Sequence, residues 1–298
     1  MHSSSKVELP SQPAATDAAT AMTATQDEFI PAAKPHRAGW SRLPVWLRRS
    51  ILLLAIIAIW QAYISLAGVS RLIFSSPTDV AIAFWNGWSS GELASATGTT
   101  LKVLAIGMAV GTLVAAVLTT LATWTTFGND LLNLLTAMLN PLPAIAILPL
   151  AILWFGFSET SLIFVIANAV TWPIAINVST GFRTVNPTIL RVGRNIGLHG
   201  WKMVKDVLMP AALPHTISGL KTGWAFGWRT IIAAELVFGA AGGGGGLGFF
   251  INNSRYYLRI PEVFAGLVSI AIIGIGIDLV FNWIERRTVV RWGMTSAA

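Results

Sequence analysis

Residues 103–129 read VLAIGMAVGTLVAAVLTTLATWTTFGN, 27 in succession without Asp, Glu, Lys or Arg. About 20 apolar residues carry a helix across a hydrocarbon core of roughly 30 Å, so this stretch is long enough to span a membrane. Outward from it, 50–70, 131–158 and 160–182 are equally free of charge. Two further stretches carry a few charges: 214–240 holds Lys221, Arg229 and Glu235, and 263–283 holds only Asp278. The expectation is an all-α, polytopic membrane helical bundle of about six transmembrane helices.

Composition agrees. Of 298 residues, 54% are hydrophobic and 11% charged, against about 25% charged in an ordinary soluble domain. Mean hydropathy is +0.66, and 13 tryptophans suit the boundary between acyl chains and headgroups. A soluble enzyme and a wholly disordered chain are both excluded. With no cysteine there is no disulfide framework, thiolate metal site or cysteine nucleophile. The net charge of +7 flanks the apolar spans instead of forming one patch, so it speaks for membrane topology and not for nucleic acid.

Lys and Arg concentrate on one side of the expected bundle. The segment before residue 50, the connection after span four and the C-terminal segment together hold fourteen, against Arg71, Arg255 and Arg259 on the other side. An excess of Lys and Arg marks the cytoplasmic side, which places both termini there. Residues 1–42 are rich in Ser, Thr, Ala, Gln and Pro without an apolar stripe and read as a disordered cytoplasmic tail; 43–298 form the membrane domain. The first apolar run begins only near Ile51, so span one is expected to persist instead of being cleaved as a signal peptide. On the outer side, Ser76-Pro77-Thr78 followed by Val80, Phe84 and Trp88 reads as a capped amphipathic helix along the interface.

The connection between spans four and five is folded instead of low-complexity. Asn186 caps a short helix from Pro187 to Ile196, with proline at the position where its missing N–H costs nothing. Gly197 is suited to the left-handed conformation that ends it. Trp201, Val204 and Leu208 then recur at intervals of three and four, Pro210 is expected to stop this second helix, and Pro214 to open span five. Residues 187–210 thus form a helical elbow on the cytoplasmic side.

Gly197, nine residues, then Val207-Leu208-Met209-Pro210 resembles the loop that defines permease subunits of bacterial ABC importers, and Ala211-Ala212-Leu213-Pro214 looks like the nitrate/sulfonate/taurine branch. The resemblance extends through Ser90-Gly91-Glu92-Leu93, Pro141-Leu142-Pro143, Leu148-Pro149-Leu150, Ile152-Leu153-Trp154-Phe155-Gly156, Val185-Asn186-Pro187, Ala233-Ala234-Glu235, Gly246-Leu247-Gly248 and Ile284-Glu285-Arg286-Arg287. One departure stands out: the family's Glu-Ala-Ala, six residues before the glycine, is Arg191-Val192-Gly193 here. The resemblance implies a permease of the inner membrane, without catalytic residues, cofactor or metal, that moves a small anion such as nitrate, a sulfonate or an aromatic acid. It also implies partners: ABC ATPase subunits that bind ATP, a periplasmic solute-binding protein, a second permease copy and membrane lipid. Arg191, Gly197, Trp201, Val204, Val207, Leu208, Met209 and Pro210 become the ATPase-coupling residues.

No Gly-x-x-x-x-Gly-Lys-Ser/Thr phosphate loop is present, so energy is expected from the partner. Gly242 to Gly246 with Gly248 formally contains Gly-x-Gly-x-x-Gly, but no βαβ unit surrounds it. Five glycines instead predict that span five unravels there, either as a gate or as a loose connection. Arg229 and Glu235 are costly inside a membrane and so are candidate pathway residues. Six residues apart, they cannot pair along one helix face. Glu235 either faces the pathway or locks span five to a neighbour; Arg229 either attracts an anion or makes an interior hydrogen bond. Prolines 141, 143, 149 and 173 are expected to interrupt spans three and four, and Gly107 and Gly111 to permit close packing. The alternative, an ion-coupled secondary transporter, calls for deep acids and repeated halves, whereas only Glu235 lies deep. A membrane-embedded hydrolase is disfavoured because His2, His36, His199 and His215 lie in the tail or near the elbow.

Overall fold

Long charge-free stretches become long helices because in hydrocarbon every backbone N–H and C=O must find its partner within the segment. A computed structural model describes residues 43–68, 70, 74–240 and 245–290. The expected tail, Arg71, Gly242 and Arg291 lie outside the described residues. The chain divides into two compact units, one ending at Ile57 and the other beginning at Ala58. The first unit contributes most of α1 (Val45–Ala67), whose charges are confined to Arg48 and Arg49 near its start.

The remaining helices belong to the second unit. They are α2 (Pro77–Ser89), α3 (Glu92–Trp124), α4 (Thr126–Leu139), α5 (Leu148–Phe155, after a 3-10 turn Ala144–Ile147), α6 (Glu159–Arg183), α7 (Pro187–Asn195), α8 (residues 201–211), α9 (Leu213–Ala240), α10 (Leu247–Tyr256) and α11 (Ile260–Glu285). The expected interfacial helix is α2: Ser76 caps it by accepting from the Asp79 N–H at 3.2 Å, Val80 is buried and Trp85 is exposed.

At the centre stands α6, packed between α3 and α9. It buries Val165, Ile166, Val170 and Ile174. Glycines spaced by four let its neighbours come this close. A Cβ at Gly107 would stand 2.6 Å from Ile166 Cγ2, and one at Gly111 would stand 2.8 Å from the Ala167 carbonyl. From the other side Gly219, Gly223 and Gly227 of α9 face Asn177, Ile174 and Val170. Small residues at this spacing are the usual way to bring helices together where lipid competes for every apolar surface.

Among the described residues, α1, α3, α6 and α11 are long and apolar enough to cross a membrane. Expected span three is not a single helix. Thr126–Leu139 and Ala144–Phe155 are together apolar enough for a span but meet at 91° across residues 140–143, the bend of a broken span or of a re-entrant loop. Taken as one span, that pair brings the number to five among the described residues; the sixth expected span, α9, has 28 residues and carries Lys221, Arg229 and Glu235, and does not reach the same apolar standard. Boundaries differ at span two: α3 begins at Glu92 and stops at Trp124, where Thr125 turns extended and caps α4 through its hydroxyl on the Gly128 N–H at 2.9 Å.

The four prolines behave differently from one another. Pro141 and Pro143 mark the true break, and Pro149 sits in the first turn of α5, where no hydrogen bond is lost. Pro173 leaves α6 continuous from Glu159 to Arg183, against expectation. The Pro173 carbonyl accepts from Asn177 Nδ2 at 2.8 Å, and tight packing by α3 and α9 holds the helix together around it.

Candidate functional site

The two ends of the bundle carry different machinery. At one end α6 runs into the elbow. Asn186 Oδ1 accepts from the Thr188 N–H at 2.8 Å and starts α7. Gly197 takes φ +82, as expected, and the chain reverses there: its N–H donates to the Arg194 carbonyl at 3.0 Å, and the Leu198 N–H donates to Gly193 O at 2.9 Å. Gly193 lies where α7 crosses α8, since a Cβ on it would meet Met203 Cε at 3.1 Å. The replacement of Glu-Ala-Ala by Arg191-Val192-Gly193 therefore keeps a small residue at the crossing and turns Arg191 outward, exposed.

Pro210 does not stop the second helix. α8 begins as the α turn Trp201–Met203, widens to a π turn over Val204–Leu208 and closes as Met209–Ala211, with the Met209 N–H reaching Val204 O. A proline ring clashes with the carbonyl four residues back, and the wider turn just before Pro210 makes room for it. The helix then passes almost without interruption into α9: the Ala212 N–H donates to Leu208 O at 2.8 Å and the Thr216 N–H to Ala212 O at 2.9 Å.

The expected coupling residues divide into two groups. Val204 and Leu208 are buried and Val207 half-buried, fastening the elbow to the bundle. Arg191, Gly197, Trp201, Met209 and Pro210 are exposed. Leu208 thus packs on protein. Sequence reading missed Ile189, Val192 and Ile196, exposed at 49%, 54% and 71%. Their spacing of three and four along a short helix that begins with a cap was the available signal.

At the opposite end lies a buried hydrogen-bond chain. The Leu247 N–H donates to Thr100 Oγ1 at 2.8 Å, and the Thr100 hydroxyl donates to the Glu235 carboxylate at 2.9 Å. The Gly248 N–H donates to Glu235 Oε2 at 2.9 Å. Three helices, α3, α9 and α10, meet at one carboxylate, and Glu235 is only 3% exposed. Gly246 and Gly248 are where the chain must approach it. A Cβ at Gly246 would overlap the carboxylate, and one at Gly248 would stand 2.6 Å from Glu235 Cβ and 2.7 Å from Ile232 O. Of the two readings open for Glu235, this geometry is that of a lock between helices.

Arg229 is not part of the lock. It is exposed on α9, about 240° around the helix from Glu235, and makes no ion pair or hydrogen bond among the described residues. Lys221, the other charge of this span, reaches α11, donating to Asn282 Oδ1 at 2.6 Å and standing 3.8 Å from Glu285. Thr100 was missed in the sequence. It belongs to a buried stripe on α3 with Leu104, Gly107, Gly111, Ala115 and Thr119, whose near-constant spacing of four was legible.

The family described as binding-protein-dependent transport system inner membrane component matches residues 107–290. The chain is 31% identical over 250 residues to a putative aliphatic sulfonates transport permease protein of Escherichia coli, covering 83% of this chain and 93% of that one. It is 30% identical to the protein of the same description in Bacillus subtilis, over 83% of this chain and 88% of that one. It is 29% identical to a nitrate import permease protein of Synechocystis sp., over 83% and 90%.

Proposed function

Because the chain belongs to the binding-protein-dependent transport system inner membrane components, and is the multi-pass permease subunit of an ABC importer, we propose how its parts divide the work. Two copies form the pathway, two ATPase subunits bind and hydrolyse ATP, and a periplasmic binding protein delivers the solute. Both termini and the elbow face the cytoplasm, as the Lys/Arg asymmetry supports. The solute is a small anion of the sulfonate or nitrate kind, in keeping with the relatives named above, and it crosses by alternating access between two nucleotide-driven states.

The observation that carries this reading is the elbow. Its outer face offers Ile189, Val192, Ile196 and Trp201, an apolar helix face of the sort that docks in a groove. Its inner face, through Val204 and Leu208, is built into the bundle, and α8 continues into α9. A push on the elbow is therefore a push on α9, the helix bearing Arg229 and Glu235.

Two features support a second copy. Arg229 is exposed halfway along α9 without a counter-charge among the described residues. The break at 140–143 shares a cavity of about 160 Å³ with Asn168, Trp172 and Thr230, midway along α6 and α9. Irregular backbone at that depth is tolerated only against protein or a water-filled path, and residues 140–143 are exposed in a single copy. A partner across this face supplies both the cover and the path.

Reconstituted in vesicles with its ATPase, the protein is expected to take up solute only when ATP and the binding protein are both supplied. Uptake driven by a proton or sodium gradient alone would overturn the reading in favour of a secondary transporter.

A further inference from the structure

A cavity of about 490 Å³ opens where the ends of α3 and α6 meet the elbow. Its charge is one-sided. Arg183, at the end of α6, and Arg194, on α7, line it, and no carboxylate does. Neither arginine takes part in an ion pair among the described residues. Arg183 is held in place by its Nη2, which donates to Asn129 Oδ1 at 2.7 Å and leaves the rest of the guanidinium free. The other walls are largely apolar and include Phe182 and Leu190. Trp124 stands at the rim, 48% exposed, where an indole marks headgroup depth.

Two guanidiniums facing one space repel each other unless an anion lies between them, and their planar donor forks match the oxygens of a phosphate. An apolar wall beside a basic rim at headgroup depth is the form of a site for an anionic lipid, where acyl chain and phosphate are both accommodated. We propose that this cavity binds the phosphate group of an anionic phospholipid from the cytoplasmic leaflet, with Arg183 and Arg194 as its two anchors. The leaflet assignment rests on the orientation proposed above. Because one anchor belongs to the central helix and the other to the elbow, the bound phosphate bridges the bundle to the coupling element and sets how firmly the elbow is held.

The test uses the full chain, purified and delipidated in neutral detergent, with lipid binding followed by native mass spectrometry. Phosphatidylglycerol is expected to bind at least about tenfold more tightly than phosphatidylcholine, and Arg183→Gln with Arg194→Gln to remove that preference. Arg183→Lys with Arg194→Lys is expected to retain part of it. The exposed Arg194→Gln alone, compared with the parent in its lipid-free unfolding midpoint, separates lost binding from lost folding. Displacement of phosphatidylglycerol by millimolar inorganic phosphate would show that the site takes the free anion as well; resistance to displacement would assign it to the lipid. Equal binding of the two lipids, or undiminished preference in the double glutamine variant, would overturn the proposal. The measurement needs no ATPase, so its failure leaves the transport reading intact, and failed ATP-driven uptake with intact lipid preference strikes only the latter.

Discussion

Gly197→Pro is expected to abolish coupled uptake while leaving the protein inserted and its bundle folded. Gly197 holds φ at +82, and a proline ring fixes φ near −65°. The substitution also removes the N–H that donates to Arg194 O, and a following proline pushes Ile196 toward extended backbone, away from the φ −89, ψ 14 it adopts here. A cost on the order of 3 kcal/mol corresponds to about a hundredfold loss in the population of correctly bent elbows. A Cβ at Gly197 meets nothing within 4 Å, so the effect is conformational and should be graded. Gly197→Ala carries the left-handed penalty of about 1–2 kcal/mol, and Gly197→Asn less, because asparagine visits that region readily. ATP hydrolysis and uptake measured together in vesicles check this: hydrolysis should continue in the proline variant while uptake stops. Normal uptake in that variant would count against the elbow as the coupling element.

Glu235→Ala is expected to destabilise the bundle by about 3 kcal/mol. It strands two buried donors, the Thr100 hydroxyl and the Gly248 N–H, which have no water to turn to. Glu235→Gln keeps an acceptor in place and should cost clearly less. Gly248→Ala should resemble the alanine variant for a different reason: its Cβ is pressed against backbone at Ile232 O as well as against Glu235, and backbone cannot swing aside. Unfolding midpoints of the purified variants in detergent decide the matter. If Glu235→Ala unfolds like the parent but no longer transports, the carboxylate serves the pathway and the lock reading fails.

Much of this architecture was legible because hydrocarbon imposes simple rules. Stretches such as 160–182 had no alternative to helix, and the Asn186 cap, the Gly197 reversal and the Ser76 cap follow from local chemistry alone. Legibility failed where tertiary packing decided the outcome. Pro173 and Pro210 are both helix breakers by propensity, yet one is clamped between α3 and α9 and the other is relieved by a π turn, and neither remedy is visible in the adjacent residues. Pro141 and Pro143 do break the chain, because no helix covers both sides of that segment in a single copy. The Glu235 lock was half visible: the buried acid and the glycines were conspicuous, but Thr100, 135 residues away, became its partner only through the close approach of α3 to α9. Likewise Trp201 shares a helical spacing with Val204 and Leu208 but is exposed where they are buried, because the bundle covers only the later turns of α8.

The account depends on a separate motor subunit gripping the outer face of the elbow. The chain contains no cysteine, so Ile189→Cys, Val192→Cys or Ile196→Cys each creates a single thiol to which a photo-reactive maleimide can be attached. In the assembled transporter, illumination should join these positions to the ATPase subunit, and the same probe at Ile275→Cys, an exposed position on α11, should not be joined to it. Absence of any such product from all three elbow positions, in a complex that still takes up solute with ATP, would contradict it.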